Sequence, residues 1–211
     1  MIKKHYIIKE IFYSLQGEGF HSGTPAIFVR FSGCNLWSGI DKDRENAVCK
    51  FCDTDFVGTD GQNGGKYLDY QLLNLLQQIN DQTKCSFLIF TGGEPTLQLD
   101  THLINLLKDS GFYITIETNG TNKVPKGLDW ITVSPKEGSV LTQKTGHELK
   151  LVFPQDQFHP EQFIEYNFEN FYLQPKYDTN YVDNLKTCLD YCLANPGWKL
   201  SMQLHKYLNI P

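Results

Sequence analysis

Short apolar runs typical of β-strands alternate along this chain with segments of helical periodicity, and this alternation limits the fold more than any other feature. The strand-like runs are rich in β-branched and aromatic residues, and they cover residues 26–31, 86–91, 113–118, 130–134, 148–153, 171–174 and 199–203. Helical patterns cover residues 69–80, 100–110, 160–166 and 181–194. Strand-then-helix order predicts βαβ units and an α/β fold with a mainly parallel sheet.

The length of the chain narrows the architecture further. Its 211 residues are too few for a complete eight-fold β/α barrel of about 250 residues. We therefore expect a single domain over residues 1–211 that forms a partial, open barrel. Functional sites of such sheets lie at the C-terminal ends of the strands. Five predicted strands end in polar or glycine-rich sequence, namely FSGC, TGGEP, IETNG, VSPK and LQPK, which predicts a site at that edge.

Composition excludes several classes of protein. Hydrophobic residues make up 40% and charged residues 20% of the chain, which is typical of a folded domain with a sizeable core. The net charge of -5 argues against a nucleic-acid-binding protein, because such proteins present a dense basic face. The sequence has no apolar stretch long enough to span a membrane, and its N-terminus does not resemble a signal peptide. We therefore expect a cytoplasmic protein.

Three of the six cysteines form a group with the spacing C-x14-C-x2-C, at Cys34, Cys49 and Cys52. Two thiolates separated by two residues can hold one metal centre, and a third can arrive from a loop. A [4Fe–4S] cluster held by three cysteines leaves one iron open, which would indicate catalysis. The alternative is a structural zinc ion completed by a histidine, with His21 the nearest in sequence, or by a distant cysteine. The spacing alone leaves both open.

The cysteine group followed by TGGEP at residues 91–95 resembles the radical S-adenosylmethionine (SAM) superfamily. The fourteen-residue spacing departs from the usual C-x3-C-x2-C of that superfamily and resembles a variant in one subfamily, the 7-carboxy-7-deazaguanine synthases of the queuosine pathway. This resemblance extends over nearly the whole chain. It includes YSLQGEG at 13–19, GTPAIFVRFSGC at 23–34, CDT at 52–54, TGGEPTLQ, IETNGT, VSPK, ELK and LQP.

The resemblance implies a radical SAM barrel and a carbon–nitrogen lyase that uses a [4Fe–4S] cluster, SAM and Mg²⁺. The expected reaction converts 6-carboxy-5,6,7,8-tetrahydropterin to 7-carboxy-7-deazaguanine with loss of ammonia. SAM is expected to act catalytically through a 5′-deoxyadenosyl radical. The cluster and SAM are expected to carry the chemistry, with no side chain acting as a catalyst. The family suggests a homodimer and an electron donor of the flavodoxin or ferredoxin type, with no nucleic acid or membrane as a partner.

The resemblance also implies residue roles. The cluster ligands are Cys34, Cys49 and Cys52, and the Mg²⁺ ligand is Thr54. SAM is expected to contact Phe51, Gly92, Gly93, Glu94, Glu117, Asn119, Ser134, Lys136 and Gln174. The substrate is expected to contact Gln16, Glu18, Arg30, Thr91, His205 and Pro211, the last two through a C-terminal tail, residues 204–211, that packs near the site. A glutamate can accept hydrogen bonds from ring N–H groups, and an arginine can bind a carboxylate through two parallel hydrogen bonds.

Structural explanations remain open for several of these residues. Asn119, Ser134 and Thr54 could serve in turns and caps, Arg30 could form an ion pair with Glu18, and chain termini are often frayed. Two other functions also remain open. A glycyl-radical activating enzyme should lack the YSLQGEG and Arg30 features, and a non-catalytic, zinc-stabilised binding protein would contain neither iron nor sulfide.

Overall fold

The structure, a computed structural model, describes residues 4–211 as nine strands, four α-helices and three 3₁₀ helices. The strands are β1 (Tyr6–Leu15), β2 (Pro25–Phe31), β3 (Gly65–Tyr67), β4 (Phe87–Gly92), β5 (Tyr113–Thr118), β6 (Trp130–Val133), β7 (Thr145–Phe153), β8 (Asn167–Pro175) and β9 (Trp198–Leu200). The α-helices are α1 (Asp69–Thr83), α2 (Thr101–Asp109), α3 (Tyr181–Ala194) and α4 (Leu204–Leu208). The 3₁₀ helices cover Asp41–Asn46, Pro95–Leu97 and Pro160–Phe163.

All nine strands belong to one sheet, in the order β3-β1-β2-β4-β5-β6-β7-β8-β9. Strand β1 pairs antiparallel with β2 and β3, and every neighbouring pair from β2–β4 to β8–β9 is parallel. The outermost strands, β3 and β9, have three residues each and do not pair with one another, so the barrel is open. This architecture confirms the predicted α/β fold, a partial barrel with a mainly parallel sheet.

Helices cover the outer face of the sheet and bury most of its apolar side chains. Leu72 of α1 and Leu103 of α2 are fully buried in one cluster with Phe90 of β4. Cys188 of α3 is buried in a second cluster over β7, β8 and β9. Helix α2 begins after Asp100, whose carboxylate accepts a hydrogen bond from the backbone N–H of Leu103, a typical N-cap. Since the helices occupy the outer face, the inner face is left for the polar side chains of the strand ends.

The structure differs from the sequence-based elements in several places. Strands β1 and β3 and helix α4 were not predicted, and in β1 the alternating pattern is interrupted by a bulge between Ile8 and Glu10. Residues 160–166, predicted to be helical, form only a four-residue 3₁₀ helix, because Phe163 is buried there and the chain enters β8 soon afterwards. The strand predicted at 199–203 ends at Leu200.

All six cysteines lie in the described part of the chain, and none forms a disulfide. Cys85 and Cys188 are buried among apolar residues, as expected of structural cysteines. Cys192 is half-buried against the same cluster as Cys188. Within residues 4–211, no helix combines the length and apolar character needed to cross a membrane.

Candidate active site

A cavity opens at the C-terminal ends of the parallel strands, the edge at which the polar strand ends predict a site. It contains about 180 Å³ of solvent space, against about 10 Å³ for a second cavity bordered by some of the same strands. Of these two, only the larger has room for a small molecule. Each of the five strands β4 to β8 contributes to its wall, for example through Thr91, Glu117, Thr132, Lys150 and Gln174.

Cys34, Cys49 and Cys52 all line this cavity. A hydrogen bond between the Cys49 and Cys52 thiols raises the pKa of Cys49 and lowers the pKa of Cys52 to about 6. Burial raises the pKa of the Cys34 thiol. The fold thus brings together three thiols that are separated by loops in the sequence.

The donor set around the cavity fits a cluster held by three thiolates. The described lining residues include no histidine and no fourth cysteine. Within residues 4–211, no group of three or more His, Cys, Asp or Glu side chains is arranged to hold a single metal ion. A structural zinc site requires four ligands that converge on one point, whereas a cubane cluster accepts three thiolates spread around it.

The loop that separates the first two cysteines is braced by Arg44. The Arg44 guanidinium lies over the Trp37 ring, 3.9 Å from its centroid. Its Nη1 donates to the backbone oxygens of Lys50 at 3.1 Å and Cys52 at 3.0 Å. Trp37 packs edge-on against Phe56, with ring centroids 5.6 Å apart. The long insertion is therefore folded back onto the segment that carries the cysteine pair.

Gly92 and Gly93 bring the end of β4 against the segment that carries Cys34. Gly92 has a φ of +128°, and a Cβ there would lie 2.3 Å from the backbone oxygen of Phe31. A Cβ on Gly93 would lie 2.0 Å from the backbone oxygen of Gly33 and 3.0 Å from the Cβ of Cys34. Because no side chain fits at either position, the two glycines set the separation between β4 and the first cysteine.

Glu94 is held by other groups of the protein. The residue is 0% exposed. Its carboxylate accepts hydrogen bonds at 2.6–3.0 Å from the backbone and hydroxyl of Thr96, the hydroxyl of Thr118 and the backbone of Asn119. Glu94 does not line the cavity. Its carboxylate braces the turns after β4 and β5, and its contact with the SAM amino group stays a prediction.

The other residues predicted to contact SAM, together with the predicted Mg²⁺ ligand, share the cavity wall. Lys136 donates from its Nζ to the Ser134 hydroxyl at 2.6 Å and to the Ser134 backbone oxygen at 2.9 Å. Burial lowers the pKa of Lys136. The wall includes Phe51, Thr54, Gly92, Gly93, Glu117, Asn119, Ser134, Lys136 and Gln174.

Glu18 and Lys150 form a buried ion pair inside the cavity. The Lys150 ammonium contacts the Glu18 carboxylate directly and lies 3.5 Å from Oε1 of Glu117. Gln174 and Gln203 donate to Oε1 of Glu18 at 3.1 and 2.9 Å. Burial alone would raise the pKa of Glu18, but the charge and hydrogen bond of Lys150, the hydrogen bond of Gln203 and the His205 charge together outweigh it and lower that pKa to about 2. Glu18 is therefore ionised at neutral pH and can only accept hydrogen bonds.

Arg30 and Gln16 lie beside the cavity, outside its immediate lining. Arg30 donates from Nε to Glu10, its cross-strand neighbour, at 2.8 Å. The alternative that Arg30 pairs with Glu18 is therefore wrong. Gln16 donates from Nε2 to Glu117 at 2.8 Å, and its Oε1 accepts from the backbone N–H of Glu18 at 3.1 Å. Gln16 thus links the segments that carry the two carboxylates.

The C-terminal tail docks against the loop that follows β1. The backbone N–H of Leu204 donates to the Gly17 oxygen at 3.0 Å. The His205 ring lies so close to Gly17 that a Cβ there would be 2.6 Å from Nδ1. The Ser14 hydroxyl donates to a Pro211 backbone oxygen at 3.1 Å. The tail packs against this loop, and neither His205 nor Pro211 lines the cavity, so their predicted contact with the substrate stays a prediction.

The same tail also contacts the segment that follows the last cysteine. Lys206 forms an ion pair with Asp53 and lies over the Tyr177 ring, 3.7 Å from its centroid. Asp53 and Tyr177 both line the cavity. Helix α4 therefore bridges the β1 loop and the cysteine segment.

Three residues that shape the site were not singled out from the sequence. Lys150 had a signal, because a charged residue within an apolar strand run is unusual unless it is paired. Arg44 and Gln203 had none, since their partners depend on how a loop and the tail fold.

The chain resembles known proteins in sequence and in fold. The Radical SAM superfamily profile matches residues 44–145, a range that includes Cys49 and Cys52 and begins after Cys34. A 7-carboxy-7-deazaguanine synthase from Caulobacter vibrioides is 51% identical over 98% of this chain and 99% of its own length. One from Bradyrhizobium diazoefficiens is 52% identical over 97% and 99%. A crystal structure of QueE from Escherichia coli superimposes with a TM-score of 0.71 at 26% identity, over 94% of each chain.

Proposed function

The chain belongs to the 7-carboxy-7-deazaguanine synthases of the radical SAM superfamily, and we propose on this basis that it converts 6-carboxy-5,6,7,8-tetrahydropterin to 7-carboxy-7-deazaguanine with loss of ammonia. The observation that carries the proposal is the shared cavity. Three thiols, a glycine-rich strand end and an ionised, buried glutamate line one space at the C-terminal edge of the sheet.

The cofactors implied by the family are a [4Fe–4S] cluster and SAM. Cys34, Cys49 and Cys52 would hold the cluster, leaving one iron without a protein ligand. When both are bound, they supply a 5′-deoxyadenosyl radical that abstracts hydrogen from the substrate. The protein's own residues bind and orient the reactants and exclude water. For SAM, these residues are the backbone of Gly92 and Gly93 with Phe51, Glu117, Asn119, Ser134, Lys136 and Gln174.

For the substrate, the chain offers both an acceptor and a cation. Glu18 accepts hydrogen bonds from the pterin ring N–H groups, and it is ionised for that task. Arg30 donates to Glu10 through Nε, which leaves its two Nη groups to bind the substrate carboxylate. Thr91, Gln16, His205 and Pro211 complete this part of the site.

Mg²⁺, the electron donor and the oligomer are further parts of the proposal. Thr54 supplies a hydroxyl oxygen, a ligand type that Mg²⁺ accepts alongside water and substrate oxygens. Electrons come from a flavodoxin- or ferredoxin-type donor, which reaches the cluster by way of the 3₁₀ helix Asp41–Asn46, where no residue is buried. The active form is a homodimer.

An anaerobic assay tests the reaction directly. Reconstituted protein is supplied with SAM, a low-potential reductant, Mg²⁺ and 6-carboxytetrahydropterin, and the products are identified by mass spectrometry. We expect a mass matching 7-carboxy-7-deazaguanine while SAM is largely retained. Cys52→Ser is expected to abolish product and cluster, whereas Cys192→Ser, on the helix α3 side of the sheet, is the matched control that retains both.

The outcomes separate the alternatives. Cleavage of SAM without any deazaguanine would keep the radical SAM assignment and refute the substrate. A colourless protein containing zinc and no sulfide would refute the assignment altogether.

A further inference from the structure

Lys150 is a buried cation shared by two carboxylates of the cavity. Its side chain is 5% exposed and projects from the middle of β7. Its ammonium contacts Glu18, which follows β1, and lies 3.5 Å from Glu117 of β5. All three side chains line the same cavity. An unpaired buried charge is strongly unfavourable, so the two carboxylates offset the cost of burying the Lys150 ammonium.

The two carboxylates serve different ligands in the proposed function. Glu18 faces the substrate, whereas Glu117 faces SAM. Gln16 bridges them a second time, because it donates to Glu117 and accepts from the backbone of Glu18. A cation between the two carboxylates therefore sets the spacing between the substrate side and the SAM side of the cavity.

Other charged groups surround this pair, but none occupies the place of Lys150. Lys136 after β6 and His205 of α4 face Glu18, and Glu148 of β7 and Glu117 of β5 face Lys150. Lys136 is engaged by Ser134. Only Lys150, among these described residues, contacts both carboxylates within 4 Å.

We propose, building on the proposed function, that Lys150 is a positioning residue that holds the Glu18 and Glu117 carboxylates in register, so that the substrate and SAM meet in reactive geometry. Lys150 itself transfers no proton and need not touch either ligand. Its effect on turnover passes through Glu18.

A double-mutant cycle tests this route. The variants are Lys150→Met, which keeps the length of the side chain without its charge, Glu18→Gln, and the two combined. Lys186→Met is the matched control, because Lys186 pairs with Asp190 on the exposed face of α3. We expect Lys150→Met to lower kcat/KM for 6-carboxytetrahydropterin on the order of 100-fold, the size of effect that follows loss of reactive alignment. It should also release more 5′-deoxyadenosine per product. In the Glu18→Gln background the same change should cost less than about threefold.

The pH dependence of activity distinguishes this positioning role from a merely structural one, which would leave that dependence unchanged. Wild-type Glu18 is ionised throughout the neutral range because Lys150 lowers its pKa. Without Lys150, burial raises the pKa of Glu18, so part of the lost activity of Lys150→Met should return as the pH rises. Lys150→Arg retains the charge and should show no such pH dependence.

An infrared measurement makes the test independent of turnover. The Glu18 band is assigned by its disappearance in Glu18→Gln. We expect an ionised carboxylate at pH 7 in wild type and a protonated carboxyl in Lys150→Met. An ionised Glu18 in Lys150→Met, or equal losses from Lys150→Met in both backgrounds, overturns the proposal. Absence of product from the wild type refutes the proposed function instead, and the infrared result still decides the role of Lys150.

Discussion

Replacement of Gly93 by alanine tests whether the glycine-rich strand end sets the position of the first cysteine. The new methyl group would lie 2.0 Å from the Gly33 oxygen, whereas ordinary contact begins at 3.4 Å. The β4 end and the Cys34 segment must therefore separate by ~1.4 Å, the difference between these distances, because neither backbone can rotate away in a packed interior. An overpacked site of this kind costs about 3 kcal/mol, or roughly 9 °C in melting temperature for a chain of this size.

The cluster should respond as strongly as the fold. Cys34 moves with the displaced segment, and its Cβ is 3.0 Å from the new methyl group. We expect Gly93→Ala to retain less than half of the wild-type iron and sulfide after anaerobic reconstitution. Melting temperature is measured on the metal-free protein, so that loss of stability and loss of cluster are recorded separately. Gly197→Ala is the matched control, since a Cβ there meets nothing within 4 Å.

Two results would contradict this reasoning. If Gly93→Ala bound as much iron as Gly197→Ala, the separation of the two segments would not control the cluster. If its melting temperature matched that of Gly197→Ala, the backbone would accommodate the methyl group without the calculated displacement.

Three further changes test other parts of the site. Arg44→Ala removes the exposed pair with Asp41, the hydrogen bonds to the Lys50 and Cys52 oxygens and the ring contact. The last three are worth together about 2 kcal/mol, so the variant should lose iron to a chelator roughly 30-fold faster. Lys42→Ala on the same 3₁₀ helix should be unchanged, and equal rates in the two variants would contradict the brace. Lys206→Met should speed hydrogen exchange in residues 204–208, by a modest factor because Asp53 is 51% exposed and the pair is screened; unchanged exchange would show that the ion pair does not hold the tail. Burial raises the pKa of Glu148 above its unfolded value, so this carboxyl lowers stability once the pH exceeds the unfolded pKa and costs nothing below it. Glu148→Gln should therefore raise the melting temperature at neutral pH, and the difference should vanish near about pH 4; a difference that persists in acid would be inconsistent with this cause.

Much of the sheet could be predicted because most of its strands follow from the residue pattern of a short segment. The run at Tyr113–Thr118 and the helix Tyr181–Ala194 were predicted at the bounds that the structure has. Strand β1 escaped prediction because its identity depends on antiparallel pairing with β2 across a bulge at Ile8 and Glu10. Helix α4 escaped because five residues carry too little periodicity.

The partners of charged groups were the least predictable part of the site. Lys150 and Glu18 are 132 residues apart, and Lys206 and Asp53 are 153 apart. Arg30 was considered as a partner of Glu18, but the β1–β2 register places Glu10 opposite it. A one-residue change of that register would have moved Glu10 to the other face of the sheet. Such pairings depend on the topology of the sheet, which is difficult to predict from local sequence patterns.

This contrast has a physical origin in how each part of the site is held. A cluster needs sulfurs at fixed short separations, so two of its ligands must come from one loop, and their spacing is visible along the chain. A counter-ion needs only to reach the right point in space, and any strand that ends at the cavity can supply it. Here five strands, β4 to β8, reach that cavity. Any of them could supply the counter-ion, so the site places little constraint on where Lys150 lies in the sequence. The sequence does show a lysine inside an apolar strand, which is unusual because a buried cation is tolerated only beside an anion. In a partial barrel of this kind, a lone charge in the middle of a strand therefore predicts an anionic partner across the cavity, even where it cannot say which one.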